Sequence, residues 1–229
     1  EFPNSMPVPG LALFYEPKIM TEPAPLSRPQ LRRMLRKARR ALTPSEQRQA
    51  AQGLYRQLAQ HPLFRRAKHI SLYLPTDGEI DPRLLLRAAQ RRGKATYLPV
   101  LSAWPRTKMV FQRVRPGDKL LPNRFRILEP RVNAHRQRQV WALDLVLLPL
   151  VGFDDVGGRL GMGGGFYDRS LAYLARRQSW RKPTLLGLAH ECQKVERLAQ
   201  ASWDVPLAGT VTDTQWYDAQ TPLETAAPW

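Results

Sequence analysis

One cysteine, Cys192, stands in a chain of 229 residues. It excludes an internal disulfide and any cysteine-based zinc site, and it fits a reducing, cytoplasmic compartment. Long apolar runs are missing too. No stretch approaches the ~18 uncharged apolar residues of a membrane-crossing helix. The four histidines, His61, His69, His135 and His190, are scattered without metal-ligand spacing. Acids are few: 19 Asp plus Glu face 36 Lys plus Arg, a formal net charge of +17. Such a field suits polyanions, whether nucleic acid, an anionic membrane, or nucleotide and polycarboxylate ligands. An arginine bias of the host proteome produces the same number. What remains is ordinary for a folded chain, with 43% hydrophobic and 24% charged residues.

Residues 1–26 carry six prolines and three acids ahead of the first arginine, Arg28. They read as an extended arm, part of it an expression remnant, and not as a secretory signal or transit peptide. Residues 28–42 have helical spacing of Leu31, Met34, Leu35, Ala38, Ala41 and Leu42, with arginine and lysine over the rest. Such a charge run is ordinarily a solvated face; it also suits nucleic-acid phosphates, or one or two arginines reaching a nucleotide. No zinc-finger, RRM or KH signature accompanies it. Thr43-Pro44-Ser45-Glu46 is a capping box with proline at the first helical position, opening a helix to about Gln60.

Beyond that the period changes. His69–Leu74 reads as a strand, Asp81-Pro82 opens a helix of about ten residues closed by Gly93, and Ala95–Val100 is the next strand. Strand–helix–strand predicts parallel pairing with a right-handed crossover. Met109–Val114, Thr184–Ala189 and Gly209–Thr212 are further strands. Asp144–Val151 is apolar on both alternations, as a central strand covered on both faces would be. Phe166–Arg177 is a helix. The expectation is one α/β domain over residues 27–217, followed by a tail over 218–229.

The segment Gly157-Gly158-Arg159-Leu160-Gly161-Met162-Gly163-Gly164-Gly165-Phe166-Tyr167-Asp168-Arg169 lies between a buried strand and a helix. Its six glycines let backbone amides approach a ligand, and the amides with the helix start form an anion-binding concavity. It is neither a Walker loop nor a dinucleotide fingerprint; a plain flexible turn is the alternative. Asp168 is a carboxylate beside that concavity, which suggests Mg²⁺ between acid and phosphate, or merely a favourable first-turn acid. Glu79 follows a strand end and could accept from a ligand N–H, or serve only solubility. Asp204, after Trp203, is a second metal carboxylate or a cap. His190 is the one histidine near these segments, and Cys192 lacks an evident base.

These residues carry a resemblance. The run DLVLLPLVGFDDVGGRLGMGGGFYDR closely resembles the signature of 5-formyltetrahydrofolate cyclo-ligases. RRALTPSEQ, LYLPTDGEID, GKATYLPVL, ILEP, GLAHECQ and ASWDVPLAGTVTD agree in the same order, over about residues 28–216. The resemblance implies a three-layer, Rossmann-like fold with a mostly parallel sheet (NagB/RpiA/CoA-transferase-like). It implies ATP- and Mg²⁺-dependent cyclisation of 5-formyltetrahydrofolate, with or without a polyglutamate tail, to 5,10-methenyltetrahydrofolate. By position, Arg28, Arg32 and the run Arg159, Leu160, Gly161, Met162, Gly163, Gly164, Gly165, Phe166 and Tyr167 would bind ATP. Leu74, Glu79 and Met162 to Phe166 would contact the folate, Glu79 at the pterin, and Asp168 and Asp204 would hold Mg²⁺. Arg159, Tyr167 and Arg169 are the catalytic candidates. Some relatives carry basic residues where this chain has Met162 and Gly164, so the catalytic cation is Mg²⁺, Arg159, Arg169 or an arginine of the first helix. A monomer with no membrane or nucleic-acid partner is expected.

Overall fold

The structure is a computed structural model that describes residues 26–219 apart from 103–108, 124–126, 174–182 and 199–204. The chain begins with three helices, α1 (Arg28–Ala41), α2 (Pro44–Leu58) and α3 (Pro62–Arg66). Then come β1 (His69–Ser71), α4 (Arg83–Arg91), β2 (Ala95–Leu101) and β3 (Met109–Val114). Short strands β4 (Leu120–Pro122), β5 (Leu128–Pro130) and β6 (Gln137–Arg138) precede β7 (Leu145–Pro149), β8 (Gly152–Phe153) and β9 (Arg159–Leu160). Helix α5 (Phe166–Leu171), β10 (Thr184–Leu188), β11 (Gly209–Val211) and β12 (Trp216–Asp218) complete the described chain.

Eight strands form one sheet in the order β12-β11-β10-β7-β1-β2-β3-β6. Its centre is parallel: β1 pairs with β2 and β7, and β10 with β7 and β11. Strands β12, β3 and β6 add antiparallel margins. The expected crossover through α4 is therefore present. The strand expected over His69–Leu74 is shorter, because after Leu72 N–H donates to Tyr97 O (3.0 Å) the chain leaves the ladder to build a loop.

Burial follows the two-residue period of a strand covered on both sides. Leu145 and Leu147 face one core with Leu54, Leu58, Phe64 and Leu85 from α2, α3 and α4. Val146 and Leu148 face a second core with Phe111, Leu171 and Leu207. The result is three layers around one sheet. A smaller cluster of Leu35, Val151 and Leu160 seats α1 beside the β8–β9 hairpin. Both first helices start with a reciprocal cap, Ser27 with Gln30 and Thr43 with Glu46.

Helix α2 approaches the chain after β11 so closely that a Cβ at Gly53 would overlap the carbonyl oxygen of Asp213. Forcing a methyl group into such a contact costs about 1–3 kcal/mol. Replacing a helical glycine by alanine returns about 1 kcal/mol. Gly53→Ala should therefore lose about 1 kcal/mol of stability, read as a lower urea midpoint. An unchanged midpoint would mean that α2 can withdraw from Asp213 at no cost.

Candidate functional site

The loops that leave β1 and β7 at their carboxyl ends border a cavity of about 1650 Å³. In an open α/β sheet this is where ligands sit. The volume exceeds the ~300–1,000 Å³ of an ordinary single-ligand pocket. Its walls come from α1, the segment after β1, the end of β7, the glycine-rich loop, and Asn123 and Ile127–Glu129 at the β4–β5 turn.

The six glycines divide into two groups. Gly157 (φ 94°) and Gly158 belong to the turn between β8 and β9. There the buried Asp154 carboxylate accepts from the N–H groups of Val156 (3.2 Å), Gly158 (2.6 Å) and Leu198 (3.0 Å). A Cβ at Gly158 would overlap that carboxylate, so this glycine serves the turn and not a ligand. Gly161 to Gly164 are exposed along the cavity. Gly163 (φ 91°) and Gly165 (φ 61°, the N-cap of α5) adopt left-handed backbone that other residues avoid.

Cations surround this loop. Arg32 Nε donates to Gly161 O at 2.8 Å. Arg169 donates to Gly164 O and lies 5.4 Å from the centre of the Phe166 ring. Arg159 is 8% exposed and forms an ion pair with Asp168. Its Nε is buried and has no hydrogen-bond partner among the described residues. Such a donor is costly to leave unmatched, and the rest of the Arg159 side chain lines the cavity. Among the described residues no three His, Cys, Asp or Glu side chains are placed to hold a metal ion. Asp168 alone on this wall nevertheless fits Mg²⁺, which commonly takes one or two carboxylates and completes its shell with phosphate oxygens and water.

The segment after β1 is fixed from α1. Asp77 (φ 54°) accepts from Arg36 (2.7 Å), Arg39 (2.8 Å) and Arg40. Partial burial alone would raise its pKa, but the three guanidinium groups override that and hold it at about 2. Arg39, the residue four on from Leu35, is fully buried, so α1 is not a solvated cationic face throughout. Glu79 lines the cavity; its carboxylate accepts from Thr76 N–H at 3.0 Å and from Thr76 Oγ1 at 3.4 Å. Burial raises its pKa, against the Thr76 contacts and the Arg39 charge. Desolvation, with Glu79 nearby, also pushes the Tyr167 hydroxyl up, so it stays protonated at neutral pH.

The cavity thus gathers Arg28, Arg32, Leu74, Glu79, Arg159, Gly161 to Gly165, Phe166, Tyr167, Asp168 and Arg169. Leu160 is fully buried beneath the loop with Leu35 and Val151. His190 is buried too, its Nε2 3.2 Å from Gly78 O, and is absent from the walls. Asp204, residues 1–25 and 220–229, and the end of the helix expected to reach Arg177 lie outside the described residues. Sequence reasoning missed Arg39, although its i+4 spacing from Leu35 marks it as inward-facing. It also missed the Asn123 and Glu129 wall, for which a proline-rich stretch offers no periodic signal.

Residues 25–213 match the 5-formyltetrahydrofolate cyclo-ligase family. The chain belongs to this family. It is 38% identical over 187 residues to 5-formyltetrahydrofolate cyclo-ligase of Escherichia coli K12, covering 81% of this chain and all of that one. The Haemophilus influenzae cyclo-ligase is 41% identical over 186 residues, covering 79% of this chain and 94% of the relative. Among solved structures, the Aquifex aeolicus 5,10-methenyltetrahydrofolate synthetase superposes with a TM-score of 0.72 at 28% identity, covering 86% and 94% of the two chains. The synthetase from Mycoplasma pneumoniae gives 0.63 at 25% identity, covering 82% and 99%.

The Asp77 cluster predicts acid sensitivity with a definite sign. A carboxylate whose pKa falls on folding stabilises above its ordinary value near 3.8, and that stabilisation disappears as pH falls towards 2. After allowance for solvent screening this amounts to about 1–2 kcal/mol. Chemical denaturation of the parent chain should show that loss between pH 4 and 2. Asp77→Asn should be less stable at neutral pH and flatter across that interval; parallel curves for the two proteins would remove Asp77 as the cause.

Proposed function

We propose that this enzyme catalyses the ATP- and Mg²⁺-dependent cyclisation of 5-formyltetrahydrofolate to 5,10-methenyltetrahydrofolate, releasing ADP and phosphate. The observation that carries the reading is one cavity that holds both an arginine-lined glycine loop and the buried acceptor Glu79, in a chain of this family. Phosphate oxygens match the first, and the N–H groups of a pterin match the second.

The chemistry asks for positioning more than for covalent help. A formyl oxygen is a poor leaving group. Its attack on the γ-phosphorus forms an O–P bond and breaks the bond to ADP. The bridging anilino nitrogen N10 then attacks the activated carbon and loses its proton, and the C–O bond breaks with departure of phosphate. Arg28, Arg32, Arg159 and the loop from Gly161 to Tyr167 hold the phosphates, with Leu160 packed beneath them instead of touching ligand, and Arg159 and Arg169 oppose the charge that develops in transfer. Arg159, whose guanidinium reaches the cavity wall, is the cation we assign to a phosphoryl oxygen. Tyr167 keeps its proton and donates it in a hydrogen bond. Leu74 and the run Met162 to Phe166 pack against the folate, while Glu79 accepts from the pterin. Asp168, with Asp204, would hold Mg²⁺, which supplies charge neutralisation on the transferring phosphoryl group. The surplus of basic residues favours substrates with polyglutamate tails. We place the enzyme in the cytoplasm as a monomer; no helix among the described residues is long and apolar enough to cross a membrane.

Purified protein with 5-formyltetrahydrofolate and MgATP should develop methenyl absorbance with stoichiometric ADP. A ligand-induced thermal shift without product would instead identify a binding protein. Asp168→Asn keeps an acceptor for Arg159, so the thermal midpoint should stay close to that of the parent. Turnover should fall by about 10²-fold, and undiminished turnover would remove Asp168 from the metal site.

A further inference from the structure

Arg39 does not line the cavity, yet its guanidinium reaches three segments that build it. Nε donates to Asp77 O at 2.9 Å, and Nη1 donates to Leu150 O, at the end of β7, at 3.1 Å. Nη2 donates to Asp77 Oδ2 at 2.8 Å and lies 3.9 Å from Met162 Sδ and 3.8 Å from Glu79 Oε1. The side chain is 0% exposed. A buried cation requires compensation from nearby acids. Asp77 already divides its charge among Arg36, Arg39 and Arg40. Among the described residues, Glu79, 9% exposed at its side chain, is the other acid paired with Arg39. The fork geometry of a guanidinium allows these contacts at once, which a point-like ammonium cannot reproduce.

We propose that Arg39 is a positioning residue for pterin recognition, holding Glu79 and its loop in register with the end of β7 and with the glycine loop. This rests on the reading that Glu79 receives the pterin. Groups facing Glu79 are Arg39 from α1, Asp77 and Tyr73 from its own segment, and Tyr167 from α5; His190 and Cys192 face Arg39. Burial raises the Glu79 pKa, Asp77 adds to this, and Arg39 opposes it. Loss of the Arg39 charge therefore moves protonation of Glu79 towards neutral pH. Loss of the Asp77 charge moves it away.

The test is calorimetric titration of the full chain with 5-formyltetrahydrofolate, and separately with MgATP, between pH 5 and 8. In the parent, folate affinity weakens on the acid side. Arg39→Gln should weaken folate binding about tenfold and move that acid limb up by about one pH unit, with ATP affinity within about twofold. Arg39→Lys should restore the limb but only part of the affinity. Asp77→Asn should move the limb down, which carries the test if Arg39→Gln does not fold. The inference is overturned if the limb is unmoved in these variants, or if ATP affinity falls as far as folate affinity. It is overturned as well if Glu79→Gln keeps the parent's affinity and limb, an outcome that leaves the cyclo-ligase reading standing. A parent chain that binds no 5-formyltetrahydrofolate removes both.

Discussion

The pairing of buried Arg39 with Asp77 is the constraint around which the rest of this molecule is arranged. A guanidinium at zero exposure is tolerated only where its donors are matched and an anion stands beside it. Meeting that demand pulls the segment after β1 against α1. Asp77 accepts left-handed backbone there, with φ of 54°. Gly78 follows, its backbone against the carbonyl of Arg39 so tightly that even a Cβ would stand 3.0 Å from that oxygen. The wall that carries Leu74 and Glu79 is thus fixed by a helix some forty positions earlier in the chain. The packing of Leu35 on Val151 and Leu160 fixes the same helix to the glycine-loop side. One helix therefore sets the spacing of two walls, which is what a reaction between two bound substrates requires.

The two walls differ in electrostatic character. The glycine-loop side offers guanidinium groups, one of them with a buried N–H that has no partner among the described residues. The β1 side offers a desolvated carboxylate. In the function proposed above that asymmetry has a chemical meaning, since a nucleotide is rich in acceptors and a pterin ring edge carries donors. Few acids face the cavity, and Asp168 is placed where an anionic ligand and a cation could share it.

Much of this was legible in the residues. Alternation in Leu145–Leu148 and the capping box at Thr43 specify local structure directly, because burial and hydrogen bonding there depend on near neighbours. The glycine run marked the loop exposed along the cavity for the same reason. Arg39 was hidden because its role depends on Asp77, 38 residues away, and local reading assigns a charge run to solvent. Gly158 was hidden because its neighbour Asp154 turns back on it only once β8 and β9 pair. The β4–β5 wall was hidden because strands of three residues are too short for any period.

The ion pair between Arg159 and Asp168 has a thermodynamic consequence for ligand capture. It fastens the last residues of the β8–β9 hairpin to the first turn of α5, so the intervening glycines hang between two clamped ends. The span left to wander is short, and most of its disorder is surrendered when the chain folds. In the proposed reaction, a nucleotide arriving at such a strap would meet a span already held at both ends, and less of its binding free energy would be spent on ordering glycine.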